Sequence, residues 1–441
     1  MFSRRELLML LAASASRAKP GTEASRHQTA TTAKPPDLFR TDLPSADLSP
    51  ADDAFLDQME KAEFLFFWEQ ADPRTGLVRD HWEGKASEKE LVASIAATGF
   101  GLTALCIGHK RGFASPSEIR ARALNTLLFL WKTMPNHRGF FYHWANLNTG
   151  ERIWDAEVSS IDTSILLCGI LTCREYFNSG PIERLADAII NRVDWSWVAE
   201  DTSLVSHGWR PEAGFLPYRW DYYSELVMMN LLGMGSPSHP LPEDTWSAWK
   251  RTNFEYDGIQ YIGSFAPLFV HQYPQAWFDL RGKRDQYVDY FNNSRKATEA
   301  HRLFCLDLAR RFPDYSEDFW GITASNSQHG YAVWGGPPAI GPIDGTVAPS
   351  AAGGSLVFLP YETLRVLKTI RTRYGDRAWC RYGFVNALNP LKNWFDPGVI
   401  GIDTGITLLM AENLRTGFVW EAFMKSAEAR RGLERAGFKK V

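Results

Sequence analysis

From Asp52 onward, apolar residues recur every three to four positions along most of the chain, the spacing of amphipathic helices. In DDAFLDQMEKAEFLFFWEQ this places Phe55, Met59, Phe66 and Phe67 near one face, with Asp52 or Asp53 available to cap the start. SIAATGFGLTALCIGHKRG, SEIRARALNTLLFLWKTM, SSIDTSILLCGILTCREYF and PIERLADAIINRVDWSWV follow with the same period. Further helices are expected at 221–234, 241–251, 264–280, 285–311, 355–374, 401–415 and 417–432. Strand-like alternation is scarce, and short pieces such as GFFYHW suit hairpins between helices. The pattern therefore predicts an all-α domain over 51–435. Helix pairs of about 60 residues fit six hairpins closed into an (α/α)6 barrel, although an α-solenoid or two bundles would satisfy the same periodicity.

The N-terminus breaks this pattern. MFSRRELLMLLAASASRA carries twin arginines, Arg4 and Arg5, then a short apolar stretch and an A-x-A-like site, and resembles a Tat export signal over 1–18. Residues 19–50, rich in Pro, Ser, Thr and Ala, suit a flexible linker. An exported, periplasmic protein follows as an expectation. No later stretch reaches the roughly 18 consecutive apolar residues of a membrane span, so no membrane partner is expected of the mature form.

Composition narrows the chemistry. A net charge of −3, with no long basic run, argues against nucleic acid as a partner. Five cysteines without a CxxC pair fit core thiols better than a disulfide framework. There is no HExxH, and Cys168 and Cys173 do not form a finger-like pair, so neither a metal nor another cofactor is expected. Nor is there a GxSxG elbow or a phosphate loop. Aromatics at 13%, with 17 tryptophans, suit a sugar-binding cleft, because pyranose rings present apolar C–H faces to indoles.

Carboxylates gather among these aromatics. In ERIWDAEVSSIDTSI, Asp155 and Asp162 are spaced to share a helical face, with Glu157 nearby; Asp155 fits a cap as well as a functional role. HGWRPEAGFLPYRWDYYSELVMMN sets His207, Trp209, Trp220 and Tyr223 ahead of Glu225, with Asp221 one turn before it. A glutamic acid between aromatic walls has the physics of a general acid. PLFVHQYPQAWFDLRG brings His271, Gln272 and Trp277, and the long Gly/Pro-rich loop near 318–354 brings Trp334 and Asp344. Asp403, in GIDTGITLLMAENLR, is either an N-cap or a cleft base. Separated carboxylates among aromatics are the equipment of glycoside hydrolysis.

These stretches carry a resemblance. SIAATGFGLTALCIG, IDTSILLCGIL, HGWRPEAGF, ELVMMNLLGMGSPSHP, PLFVHQYPQAWFDLRG, DYFNNSRKAT, WGITAS, DGTVAPSAA and GIDTGITLLMAENLR occur in the order seen in the bacterial glycoamylase-like family. The resemblance includes its β-1,2-glucanases, glycoside hydrolase family 144, and covers roughly 52–430. The resemblance implies an (α/α)6 barrel and monomeric, metal-independent hydrolysis of β-1,2-glucan or its oligosaccharides with inversion. It implies Glu225 as general acid and Asp403 as base. Asp155, Glu157, Asp162, His207, Trp209, Trp220, Tyr223, His271, Gln272, Trp277, Trp334 and Asp344 are then candidate substrate contacts. A transglycosylase and a non-catalytic glucan-binding protein remain alternatives at this level.

Overall fold

The computed structural model describes residues 48–84, 91–335 and 343–441; the stretch expected to be an export signal and nearly all of the expected linker lie outside these. The first helix, α1, is Pro50–Glu69, and its cap is Ser49, whose side chain accepts from Asp52 N–H, where Asp52 or Asp53 was expected.

Burial separates the later helices into two layers. Ile95–Arg111 (α2), Ser160–Phe177 (α4), Leu226–Met234 (α7), Phe269–Trp277 (α9), Pro349–Gly353 (α11) and Gly401–Thr416 (α13) are buried on nearly all sides, and every residue of α7 and α9 is buried. Sequences that are apolar all round need an interior position. Pro116–Lys132 (α3) buries only the stripe Ile119, Ala123, Thr126, Leu127 and Leu130, and Gly180–Arg192 (α5) and Pro360–Tyr374 (α12) likewise bury one face. Contacts run α2 to α4, α4 to α7, α7 to α9, α9 to α13 and α13 back to α2, with α11 on α13. This is the inner ring of an (α/α)6 toroid. α1, α3, α5, Tyr290–Asp307 (α10) and α12 form most of the outer layer.

The layer departs from six regular hairpins at one point. The helix expected at 241–251 is only Thr245–Ala248 (α8), followed by the hairpin Thr252–Tyr256 with Ile259–Gly263. The helix expected at 417–432 is split into Phe418–Phe423 (α14) and Ala427–Arg435 (α15). α14 packs on α4 and α9, and α15 on α7, so the C-terminus covers inner helices there. The helical stretch over PIERLADAIINRVDWSWV is also two helices, α5 and Trp195–Ala199 (α6). Among the described residues no helix is long and apolar enough to cross a membrane.

Backbone contact locks α2 to α4. A Cβ on Gly169 would lie 2.1 Å from the Gly99 carbonyl oxygen, so only glycine permits the crossing. Gly169→Ala should cost about 1–3 kcal/mol of folding stability, read as a lower denaturant midpoint at constant m-value.

The two ends of the ring differ. Short strands lead into the N-termini of inner helices: Val92–Ser94 before α2, Val158–Ser159 before α4 and Val399–Ile400 before α13. They pair with neighbouring hairpin strands, Val158–Ser159 with Gly208–Arg210 and Val399–Ile400 with His81–Trp82. At the opposite end, Arg111 closes α2 and binds Glu412 of α13 at 2.7 Å, while Arg415 binds Glu60 of α1 at 2.6 Å. Glu63 lies buried on α1, and one of its carboxyl oxygens has no hydrogen-bond partner among the described residues. Burial first, and the charge of Glu60 second, push its carboxyl well above the usual range.

Candidate active site

Three acidic residues stand at the N-terminal ends of three inner helices. Glu225 is the N-cap residue of α7, Asp162 is in the first turn of α4, and Asp403 is in the first turn of α13. Six inner helices that start at one end of a ring direct their unpaired N–H groups and positive dipole ends there, which favours carboxylates and electron-rich hydroxyls. Glu225 is half-buried, between the buried Tyr223 and Ser224 on one side and the apolar remainder of α7 on the other.

Asp162 is only 7% exposed, and nothing along the chain points to His143 as its neighbour. His143 Nδ1 bonds Glu157 Oε1 at 3.2 Å, and its Nε2 lies 3.7 Å from Asp162 Oδ2. Ser159 caps α4 by accepting from Asp162 N–H and donates its hydroxyl to Asp162 Oδ2 at 2.5 Å. Arg210 reaches to 4.0 Å from Glu157 Oε2. Trp144 stacks on the His143 ring at 3.7 Å between centroids. His143, Glu157 and Asp162 could hold a cation, since their ligand atoms lie within 4.8 Å of one another. Each imidazole nitrogen faces a carboxylate of the same cluster. A signal for His143 was present in GFFYHW, where His follows an aromatic run at a hairpin, but nothing there indicated the carboxylates it would meet.

A second polar chain runs from Asp403. Its Oδ2 accepts from Asn386 Nδ2 at 2.7 Å. Asn386 Oδ1 accepts from Asn326 N–H at 2.7 Å, and Asn326 Nδ2 donates to Asp396 Oδ2 at 2.7 Å. Burial pushes the Asp396 carboxyl up, against the opposing donors Gly398 N–H and Asn326. His81, on the strand paired with Ile400, is raised to about 9, chiefly by its hydrogen bond to Asp80. Asp396 and Asn386 lie on loops and Asn326 on the short hairpin strand Ser325–Ser327, and none was singled out in the sequence.

The aromatic residues ahead of α7 are largely engaged with one another. His207 stacks on Trp220 at 3.9 Å and 6°, and Trp220 Nε1 donates to Ser160 Oγ at 3.0 Å, tying this wall to the start of α4. Tyr223 stacks on His271 at 4.6 Å. Burial raises the Tyr223 hydroxyl to about 12 and lowers His271 to about 3, leaving both neutral. Trp209 is half-buried, with one face on His137 at 4.1 Å.

Several expected contacts belong elsewhere. Trp277 is wholly buried and donates to Thr103 Oγ1 at 3.0 Å, so it is a core residue joining α9 to α2. Gln272 spends its amide on Ala351 O and Ser355 Oγ, joining α9 to the segment around α11. Trp334 is buried and donates to Ser325 Oγ within its own loop. Burial works to raise the Asp344 carboxyl, but Lys392, bonded at 2.5 Å, and Thr346 hold it below its ordinary value, as a loop latch. Asp155 shares no helical face with Asp162: it sits exposed in a turn with φ 50°, before the helix begins, and is not its cap. Asp221 likewise precedes α7 and pairs with Lys250 at 3.1 Å, so it shares no helical turn with Glu225.

Comparison with known proteins places this architecture. A glycoamylase family model matches residues 217–427. The exo β-1,2-glucooligosaccharide sophorohydrolase (non-reducing end) of Parabacteroides distasonis is 28% identical over 424 residues, covering 87% of this chain. The chain spans 58% of that relative's length. The endo-β-1,2-glucanase of Chitinophaga pinensis, solved with sophorotriose and glucose, superposes with a TM-score of 0.83 at 26% identity, over 89% of this chain and 99% of that one. A β-1,2-glucanase structure from Parabacteroides distasonis gives a TM-score of 0.81 at 26% identity, over 88% of this chain and 60% of that one.

Proposed function

We propose that this chain, which belongs to the glycoamylase-like family, is a glycoside hydrolase of β-1,2-glucan and its oligosaccharides. The observation that carries the proposal is the set of carboxylates at inner-helix N-termini, Glu225, Asp162 and Asp403, in a ring that superposes on the Chitinophaga pinensis endo-β-1,2-glucanase along nearly its whole length.

In this mechanism Glu225 gives its proton to the glycosidic oxygen as the C1–O bond breaks, and the departing sugar leaves as an alcohol. Asp403 takes a proton from the attacking water, whose oxygen becomes the new C1 hydroxyl. The N-terminus of α13 and the Asn386 amide both favour a negative charge on Asp403, as a base requires. His143 and Arg210 sit against Glu157, and with Asp162 these groups offer donors and acceptors to sugar hydroxyls.

The test is a screen of linear β-1,2-, β-1,3- and α-1,4-glucans with product sizing. Release of sugars from the β-1,2 polymer alone is expected, with the new reducing end first appearing as the α-anomer by proton NMR. Longer or cyclic products would replace hydrolysis with transglycosylation. A single disaccharide product would mark exo action, and a ladder of sizes endo action. Asp403→Asn should lower turnover by roughly 10²–10⁴-fold, read as kcat on the β-1,2 polymer. Binding of the polymer without any turnover by the wild type would leave a glucan-binding protein instead. In the same proposal the enzyme is an exported monomer, which cell fractionation and light scattering check.

A further inference from the structure

Trp154 is 56% exposed, more than any other tryptophan, in a protein whose indoles are otherwise largely covered. A lone exposed aromatic needs no explanation, but the backbone that presents this one is specialised. Trp154 and Asp155 are consecutive non-glycine residues in the left-handed region, at φ 55° and 50°. Such strain persists only where the surroundings impose it, and it clusters at functional sites. Here the surroundings are a clamp. Arg152 Nε donates to Ala156 O at 2.6 Å across the turn, and its two terminal nitrogens donate to both oxygens of Glu212, at 2.5 and 3.0 Å. The turn is thereby fastened to the neighbouring hairpin, and the indole is held out on a fixed support.

Its position relates it to the carboxylate centre. Trp154 meets Trp144 edge to face, with centroids 5.6 Å apart at 70°. Trp144 in turn stacks on His143, the partner of Glu157. Trp154 therefore lies one ring beyond Trp144 on the outward side of that group. A rigid, exposed indole in this position has the shape and chemistry to stack on the C–H face of a pyranose.

We propose that Trp154 is an outer stacking platform for a glucose unit of a β-1,2-glucan chain that extends past the central carboxylates, so that it sets preference for chain length. This rests on the hydrolase assignment above. The platform contributes to binding and leaves the bond-breaking step untouched.

The test compares wild type with Trp154→Ala and Trp154→Gln on short and long linear β-1,2-glucans. For long chains KM should rise about tenfold, the size of a lost aromatic stack, with kcat unchanged. For the shortest cleaved oligosaccharide both constants should hold, and Trp154→Phe should retain most of the long-chain affinity. Equal losses at every length, or none at any length, would overturn the platform. Calorimetric binding of the same oligosaccharides, in a Glu225→Gln background, separates the two proposals. Length-dependent binding that Trp154→Ala abolishes, in a protein whose parent cleaves nothing, would keep the platform and refute the hydrolase. No binding at any length would refute both.

Discussion

Glu225→Gln should lower the turnover of linear β-1,2-glucan by about 10³-fold while leaving the fold intact, because a general acid contributes roughly 10²–10⁴-fold. The amide keeps the size of the carboxyl but has no proton to give the leaving sugar oxygen. Glu225 is the N-cap of α7 yet makes no side-chain cap hydrogen bond, so the substitution removes no capping interaction. Helix content and thermal midpoint should therefore stay close to wild type. The decisive control varies the leaving group. A substrate whose leaving oxygen is already a good one, such as a nitrophenyl β-glycoside of sophorose, needs little protonation. Glu225→Gln should lose far less on that substrate than on the natural polymer. Equal losses on both would take the acid role away from Glu225 and point to a positioning effect.

As pH rises above the ordinary carboxyl range, Glu63→Gln should gain stability relative to wild type, by up to about 1.4 kcal/mol for each pH unit while Glu63 keeps its proton in the fold. Glu63 is buried on α1, against Gly383 and near Glu60. Burial and then the Glu60 charge raise its carboxyl well above the ordinary carboxyl range, so the folded protein keeps a proton that the unfolded chain releases. The sign follows directly. Stability from this group is complete below the unfolded value and is lost as pH climbs toward the folded one. An amide cannot titrate, so the variant lacks that slope; any constant cost of burying its N–H groups shifts the whole curve without tilting it. Denaturant midpoints of both proteins across the range give the comparison. Parallel curves would mean that Glu63 is ionised in the fold and is compensated by the cations Arg111 and Arg415, which serve Glu60 and Glu412 nearby.

The helices were legible because their signals are local. The spacing of Ile119, Ala123, Leu127 and Leu130 identifies an outer helix with one buried stripe. ELVMMNLLGM, apolar on every side, identifies an inner one. Where the pattern misled, packing had overridden periodicity. Residues 241–251 have a helical spacing, but only Thr245–Ala248 coil, and α15 packs on α7 from the C-terminus instead. Gln272 and Trp277 looked like ligand contacts because they are polar or aromatic residues on an apolar helix. They are instead the hydrogen-bonding groups that tie α9 to its neighbours, a demand that arises only once the ring closes.

The sequence by itself determined the helical class and the three acidic positions Asp162, Glu225 and Asp403 beside apolar runs, because caps, burial and dipoles act within a few residues. Only the tertiary structure decided which polar groups meet. His143, Glu157 and Asp162 come from a hairpin, the loop residue before a strand and a helix, and Asp403 reaches Asn326 and Asp396 through Asn386. Those contacts depend on strand pairing and on the direction of each side chain at a helix start. Closure of the ring sets both, and no spacing along the chain encodes them.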